Sequence, residues 1–177
     1  SDLIKNLNGW NTRYSLIFPS HPGTNEQSLL PGFVANLGKS LFTGEFGGSG
    51  VTTATSNRIT RAALISALKS IALLKPNFLS ESYDHQIKIE NREFIDMRGS
   101  ATYHWAEEEG LYQNKKRLGE KVEKGEVIGA IHFPDSADRK PHLVHAGRSG
   151  TIGVIRGYPR VKRGDCLMLI GQSYSDL

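Results

Sequence analysis

The chain holds a single cysteine, Cys166, in 177 residues, so no disulfide can close within it. That fits a reducing cytoplasm. The neighbours Leu167-Met168-Leu169-Ile170 are apolar, which marks the thiol as a buried structural group rather than a nucleophile. No run of about 18 apolar residues is present to cross a bilayer. The start, Ser1-Asp2-Leu3-Ile4-Lys5-Asn6, lacks the charged-then-apolar order of a secretory signal. Aromatics are only 8% of the residues. The basic excess of +4 is spread along the chain, and its densest cluster is Lys115-Lys116-Arg117. A nucleic-acid reader needs a basic stripe interleaved with aromatics or a recognisable module, and with neither visible no nucleic-acid partner is expected. There is no G-x-S-x-G elbow, P-loop or dinucleotide fingerprint. The glycines around Gly44, Gly47, Gly48 and Gly50 lack the Lys-Ser/Thr of a phosphate loop, and Glu45 among them would repel a phosphate.

Hydrophobic residues at 38% suffice for one ordinary core or two small ones. Residues 1–56 read as strand, helix, strand. Tyr14-Ser15-Leu16-Ile17-Phe18 is a short apolar run, and a Pro/Gly-rich turn follows at residues 19–23. A helix is expected over residues 26–39, interrupted or started late by Pro31-Gly32, and then a second strand over Ser40-Leu41-Phe42-Thr43. A longer helix is expected over residues 57–74. Ser56 or Thr55 is its N-cap, Pro76 lies just beyond it, and Ile59, Ala63, Ala67, Ile71 and Leu74 form one apolar stripe. These patterns predict an α/β unit over residues 1–78 and an all-β unit over residues 79–177.

The second unit contains a repeat. Val122-Glu123-Lys124-Gly125-Glu126-Val127-Ile128-Gly129-Ala130-Ile131 matches Val161-Lys162-Arg163-Gly164-Asp165-Cys166-Leu167-Met168-Leu169-Ile170 at an offset of 39 residues, from 122 to 161. A weaker pair precedes each copy, Ala106-Glu107-Glu108-Glu109-Gly110-Leu111 and Ala146-Gly147-Arg148-Ser149-Gly150-Thr151, at an offset of 40, from 106 to 146. Two copies in the same order imply two β units related by a pseudo-two-fold, closing a small sandwich or barrel. Lys-Gly-Glu and Arg-Gly-Asp are then tight turns, not adhesion motifs. The repeat resembles the barrel-sandwich hybrid of biotinyl and lipoyl carrier domains, which bear their cofactor on a lysine between the halves. Here the joining stretch of residues 132–142 is longer and lacks the acidic or Met-Lys-Met context, so Lys140 reads as a solvated loop lysine.

Glu45 is the leading candidate for chemistry. A carboxylate at the end of a strand, followed by Gly47, Gly48 and Gly50, can approach a substrate or water closely, as a general base must. The histidines His21, His85, His104, His132, His142 and His145 give weaker patterns. His142-x-x-His145 on a strand sends its rings to opposite faces. His104-x-x-Glu107 has the spacing of a zinc pair, but it opens the β repeat, where strand context is expected.

The segment Thr43-Gly44-Glu45-Phe46-Gly47-Gly48-Ser49-Gly50, the Ala/Leu-rich helix after it, His132-Phe133-Pro134, the doubled β module and the ending Arg163-Gly164-Asp165-Cys166-Leu167 together resemble the C-terminal part of the succinylglutamate desuccinylase/aspartoacylase family. The likeness runs from about Tyr14 to Ile170. It implies a zinc-dependent amide hydrolase acting on an N-acyl amino acid of acetyl or succinyl type. It also implies the C-terminal portion of a zinc-carboxypeptidase-like α/β domain followed by a β module of barrel-sandwich type. Glu45 would be the general acid/base, and Gly47, Gly48 and Gly50 would give the substrate room. The family's H-x-x-E pair, later histidine and substrate arginines match no position here. The resemblance therefore implies a fragment with zinc in the intact enzyme and none bound to this chain, inactive alone, which self-associates or lacks an N-terminal half. The alternative expectation is a non-catalytic β module used in binding or assembly.

Overall fold

The computed structural model describes residues 9–10, 12–18, 30–39, 41, 43–48, 50–78, 91–136 and 138–174. The expected turn at residues 19–23, His21, His85 and the start of the expected first helix lie outside the described residues. Contacts divide the chain into two compact units, one of residues 1–13, 20–92 and 177 and the other of residues 14–19 and 93–176.

In the first unit, helix α1 spans Leu30–Asn36, with Pro31 in its first turn, where a missing N–H is tolerated. Helix α2 spans Ala54–Ser70, so it begins and ends earlier than the expected 57–74. The start is set by Thr53, whose hydroxyl accepts from the Ser56 N–H at 3.0 Å while the Ser56 hydroxyl accepts from the Thr53 N–H at 3.0 Å. At the other end the Ile71 N–H still donates to Ala67 at 3.3 Å, but Ala72 turns to φ 58, which no helix can continue. Of the expected stripe, Ala63 is buried, Ile59 and Ala67 are half-buried, and Ile71 is exposed. Of the strand expected over residues 40–43, Ser40 and Phe42 lie outside the described residues. Leu41 and Thr43 have no regular structure, and the nearest pairing is an isolated bridge between Gly48 and Val51.

Among the described residues, the second unit holds ten strands, β1 Tyr14–Ile17, β2 Glu93–Asp96, β3 Tyr103–Trp105, β4 Gly110–Asn114, β5 Lys121–Val122, β6 Val127–His132, β7 His142–His145, β8 Gly150–Ile155, β9 Arg160–Val161 and β10 Cys166–Ser173. One sheet runs β7-β6-β4-β9. The other runs β1-β2-β10-β8-β5, with β3 also paired to β10. Strands β3 to β6 are the first repeat copy and β7 to β10 the second. Each sheet takes two strands from one copy (β4 and β6, or β8 and β10) and borders them with two from the other. The strand order β7-β6-β4-β9 therefore maps onto β3-β10-β8-β5 when the copies are exchanged.

The repeated turns lock this exchange. Gly125 donates to the Ala146 carbonyl at 2.7 Å, and Ala146 donates back to Glu126 at 2.8 Å. In the second copy Gly164 donates to Ala106 at 2.8 Å, and Ala106 donates back to Asp165 at 2.8 Å. The carboxylates of Glu126 and Asp165 cap their own turns by accepting from the N–H groups of Glu123 at 3.0 Å and Lys162 at 2.9 Å. The ion pairs obey the same symmetry, with Lys116 on Glu126 at 2.5 Å and Arg156 on Asp165 at 3.0 Å. Arg163-Gly164-Asp165 is thus a turn, as expected.

The main core is repeated too. Ala106 and Ala146, Tyr112 and Ile152, Val122 and Val161, Ile128 and Leu167, Ile131 and Ile170 are all buried in one cluster. Each large aliphatic side chain removed from water contributes roughly 1.5–3 kcal/mol. Symmetry breaks at β10, which runs on so that Gln172 and Ser173 pair with Asp96 and Ile95 of β2; β2 in turn pairs in parallel with β1. A second cluster of Ile95, Met97 and Leu169 forms there, with half-buried Cys166 packed against it. Burial pushes the Cys166 thiol up, in keeping with a structural thiol. Among the described residues, no helix is long and apolar enough to cross a membrane.

Two features generate predictions. A side chain at Gly110 would collide with the His132 carbonyl, and one at the equivalent Gly150 with the Gly171 carbonyl. Gly110→Ala or Gly150→Ala should each destabilise by about 1–3 kcal/mol in urea unfolding, because the obstacle is backbone. The Tyr112 hydroxyl is buried with no hydrogen-bond partner among the described residues, and burial pushes it up to about 12. Tyr112→Phe should therefore leave the midpoint of thermal unfolding unchanged or raise it. A clear fall would reveal a partner for the hydroxyl.

Candidate active site

Glu45 lies in the first unit, in the irregular segment leading into α2, and is exposed. A strand end does not hold it. Its place is set by what flanks it. On one side the Phe46 ring occupies the space that a Gly44 side chain would fill. On the other, Gly47 takes φ 103 and Gly50 φ 70, conformations that side-chain-bearing residues avoid. A side chain at Gly47 would also crowd the Val51 carbonyl at 3.1 Å. Gly48 has open space where a side chain would stand, and its carbonyl accepts from the Val51 N–H at 2.9 Å. The three glycines thus form one tight turn between Glu45 and the capping box of α2. Among the described residues, no hydrogen bond or ion pair holds the Glu45 carboxylate. A carboxylate so placed can take and return a proton from a group that approaches over the glycines.

The other candidates belong to the second unit and do not converge. His104 is buried on β3. Its Nε2 accepts from the Gly147 N–H at 2.7 Å, so Nδ1 carries the proton and donates to the Thr102 carbonyl at 3.1 Å. Burial lowers its pKa below the usual 6.5. The ring is a neutral bridge between the two repeat copies, and neither nitrogen is free for a metal. Exposed Glu107 lies 3.4 Å from His142 instead. His132 contacts Gln113 at 3.0 Å, and His145 contacts the Gly125 carbonyl at 3.0 Å. Lys140 is exposed. Among the described residues, no three His, Cys, Asp or Glu side chains gather where they could hold a metal ion. These residues do not fit a zinc site.

Two arrangements were not read from the sequence. Trp10 stacks on Phe46 with centroids 6.2 Å apart and planes 10° apart, beside Glu45. No spacing rule links residues 36 positions apart (10 to 46), although Phe46 adjoins the segment already singled out. Arg98 grips Asp96 through Nε at 2.8 Å and Nη2 at 2.7 Å, and this guanidinium holds the carboxyl down at about 2.

Comparison with solved structures comes to the same family as the sequence motifs. The chain is similar to a succinylglutamate desuccinylase/aspartoacylase from Rhodobacter sphaeroides, at 22% identity, TM-score 0.81, and coverage of 99% of this chain and 49% of that one. It is similar to a succinylglutamate desuccinylase from Silicibacter sp. TM1040, at 26% identity, TM-score 0.80, and coverage of 98% and 49%. A product-bound structure of the ectoine utilization protein EutE from Ruegeria pomeroyi matches at 22% identity, TM-score 0.74, and coverage of 96% and 48%. The chain spans about half the length of the solved structures it matches. No protein-family profile and no curated protein matches the sequence.

The His104 geometry sets a pH dependence. The folded pKa lies below the unfolded 6.5, so the ring's contribution is complete above that value and is lost as the pH falls through it. Between about pH 7.5 and about pH 5.5, the wild type should lose more stability than His104→Gln, which cannot titrate. Equal losses in urea unfolding would show that the folded ring accepts a proton.

Proposed function

We propose, from the likeness of fold to succinylglutamate desuccinylase/aspartoacylase family proteins, that this chain is part of a deacylase that cleaves the amide bond of an N-acyl amino acid. The observation that carries the reading is the exposed Glu45 carboxylate, beside a segment in which Gly47 and Gly50 take positive φ and which leads into a capped helix. Glu45 takes a proton from the water that attacks the acyl carbonyl. It then delivers a proton to the amine nitrogen as the carbon–nitrogen bond breaks, so that the products are a free carboxylate and an amine. Gly47, Gly48 and Gly50 leave room for the acyl group beside it. Acetyl and succinyl are the acyl groups in view, and the cytoplasm is the compartment.

Zinc is the metal that the resemblance implies, but the residues described here do not fit it. No step is routed through it, and its ligands are assigned to the intact enzyme outside these residues. The second unit serves as the β module of barrel-sandwich type. Lys140 is read as a solvated loop lysine rather than a carrier site, which its charged surroundings support: Arg139 pairs with Glu108 at 2.8 Å and covers the Phe133 ring.

The test is Glu45→Gln in the intact enzyme, with release of acetate or succinate from N-acyl amino acids as the readout. Turnover should fall by roughly 10²–10⁴-fold, the usual range for a general acid/base, with the circular dichroism spectrum and melting curve unchanged. Undiminished turnover would refute the assignment and favour a binding role for the chain.

A further inference from the structure

We propose that Phe46 is a positioning residue for Glu45, acting through a ring laid over Gly44 and stacked on Trp10. The inference rests on the reading of Glu45 as the proton-transfer group. A general acid/base must lie within hydrogen-bond reach of its proton partner, and no side chain among the described residues tethers the Glu45 carboxylate. Among those residues, its aim is set by its backbone.

The residues on either side fix that backbone. The Phe46 ring turns back across Gly44, so closely that a methyl group there would strike its edge. The ring thus lies over the residue two before it, with Glu45 between them and the first bend at Gly47. The Phe46 ring is itself held, because Trp10 lies parallel to it at 6.2 Å. Trp10 is fixed in its turn by Gly9, whose missing side chain leaves space for Ser70 at the last residue of α2. Beyond Phe46, Gly47 approaches Ser56 in the first turn of the same helix, with 3.6 Å from its would-be side chain to Oγ. A helix of 17 residues is about 25 Å long. The Trp10–Phe46 stack therefore links segments anchored at its two ends, and Glu45 is next to the junction. Stacked aromatic pairs contribute beyond their area and prefer defined geometries, which suits them to hold a loop at one angle.

The experiment compares variants of the intact enzyme. Phe46→Ala should lower kcat on the order of 10²-fold while KM changes by less than about threefold, the mark of a displaced proton-transfer group rather than a damaged binding site. Phe46→Tyr and Trp10→Phe keep both rings and should restore kcat to within about threefold of wild type. Trp10→Ala should follow Phe46→Ala, and it decides the matter if Phe46→Ala does not fold. Folded Phe46→Ala or Trp10→Ala with wild-type kcat, beside an inactive Glu45→Gln, would overturn the positioning role alone. An active Glu45→Gln would overturn the reading beneath it.

Discussion

Most of the order in the second unit follows from one reciprocal set of backbone hydrogen bonds. Gly125 and Glu126 are bonded to Ala146, and Gly164 and Asp165 to Ala106, so each repeat copy closes the turn of the other. Each turn makes hydrogen bonds of its own, but the buried Ala106 and Ala146 find their partners only in the other copy's turn. A buried N–H or carbonyl left without a partner would cost about 1–3 kcal/mol, which ties the two copies together. The exchange places Ala106 and Ala146 in the core. It also brings β4 and β8 so close to the ends of β6 and β10 that both must begin with glycine. The paired ion bridges at Lys116–Glu126 and Arg156–Asp165 lie around the same turns.

Where the symmetry fails, the unit gains something. β10 continues past the length of β6 and recruits β2, and through it β1, into its sheet. His104 stands at another asymmetric point, since it joins β3 to the Gly147 N–H, a bond between side chain and backbone that has no counterpart in the second copy. An H-x-x-E spacing that could belong to a metal site is in this chain a buried strut and an exposed glutamate. Hydrogen-bond geometry separates the two readings, because a ring with both nitrogens engaged has no lone pair to offer.

The first unit is organised differently. Its described residues bury little beyond Ser56 and Ala63, and its order comes from local devices, namely a capping box, a glycine turn and an aromatic stack. Such devices act on a few residues each. They hold the Glu45 segment without covering it, which suits a group that has to meet a substrate.

The sequence by itself determined the repeat, its two turns and the apolar positions of the core, because a β hairpin with one buried face writes its period directly into residue type. It also determined the likeness of the Glu45 segment and of the R-G-D-C-L ending to one family, since those are contiguous runs. The bounds of α2 were legible only roughly. Thr53 caps the helix upstream of the expected caps Thr55 and Ser56 and six residues before Ile59 (53 to 59), the first position of the apolar stripe, where hydropathy gives no sign. Within the strand expected over Ser40 to Thr43, the described Leu41 and Thr43 have no regular structure, and a run of four residues carries too short a pattern to separate strand from loop. Only the tertiary structure decided which copy closes which turn, that β1 joins the sheet of β2 and β10, that His104 is a strut, and that Phe46 lies between Gly44 and Trp10. Each of these depends on residues far apart in the chain meeting in space, and local pattern carries no record of such meetings.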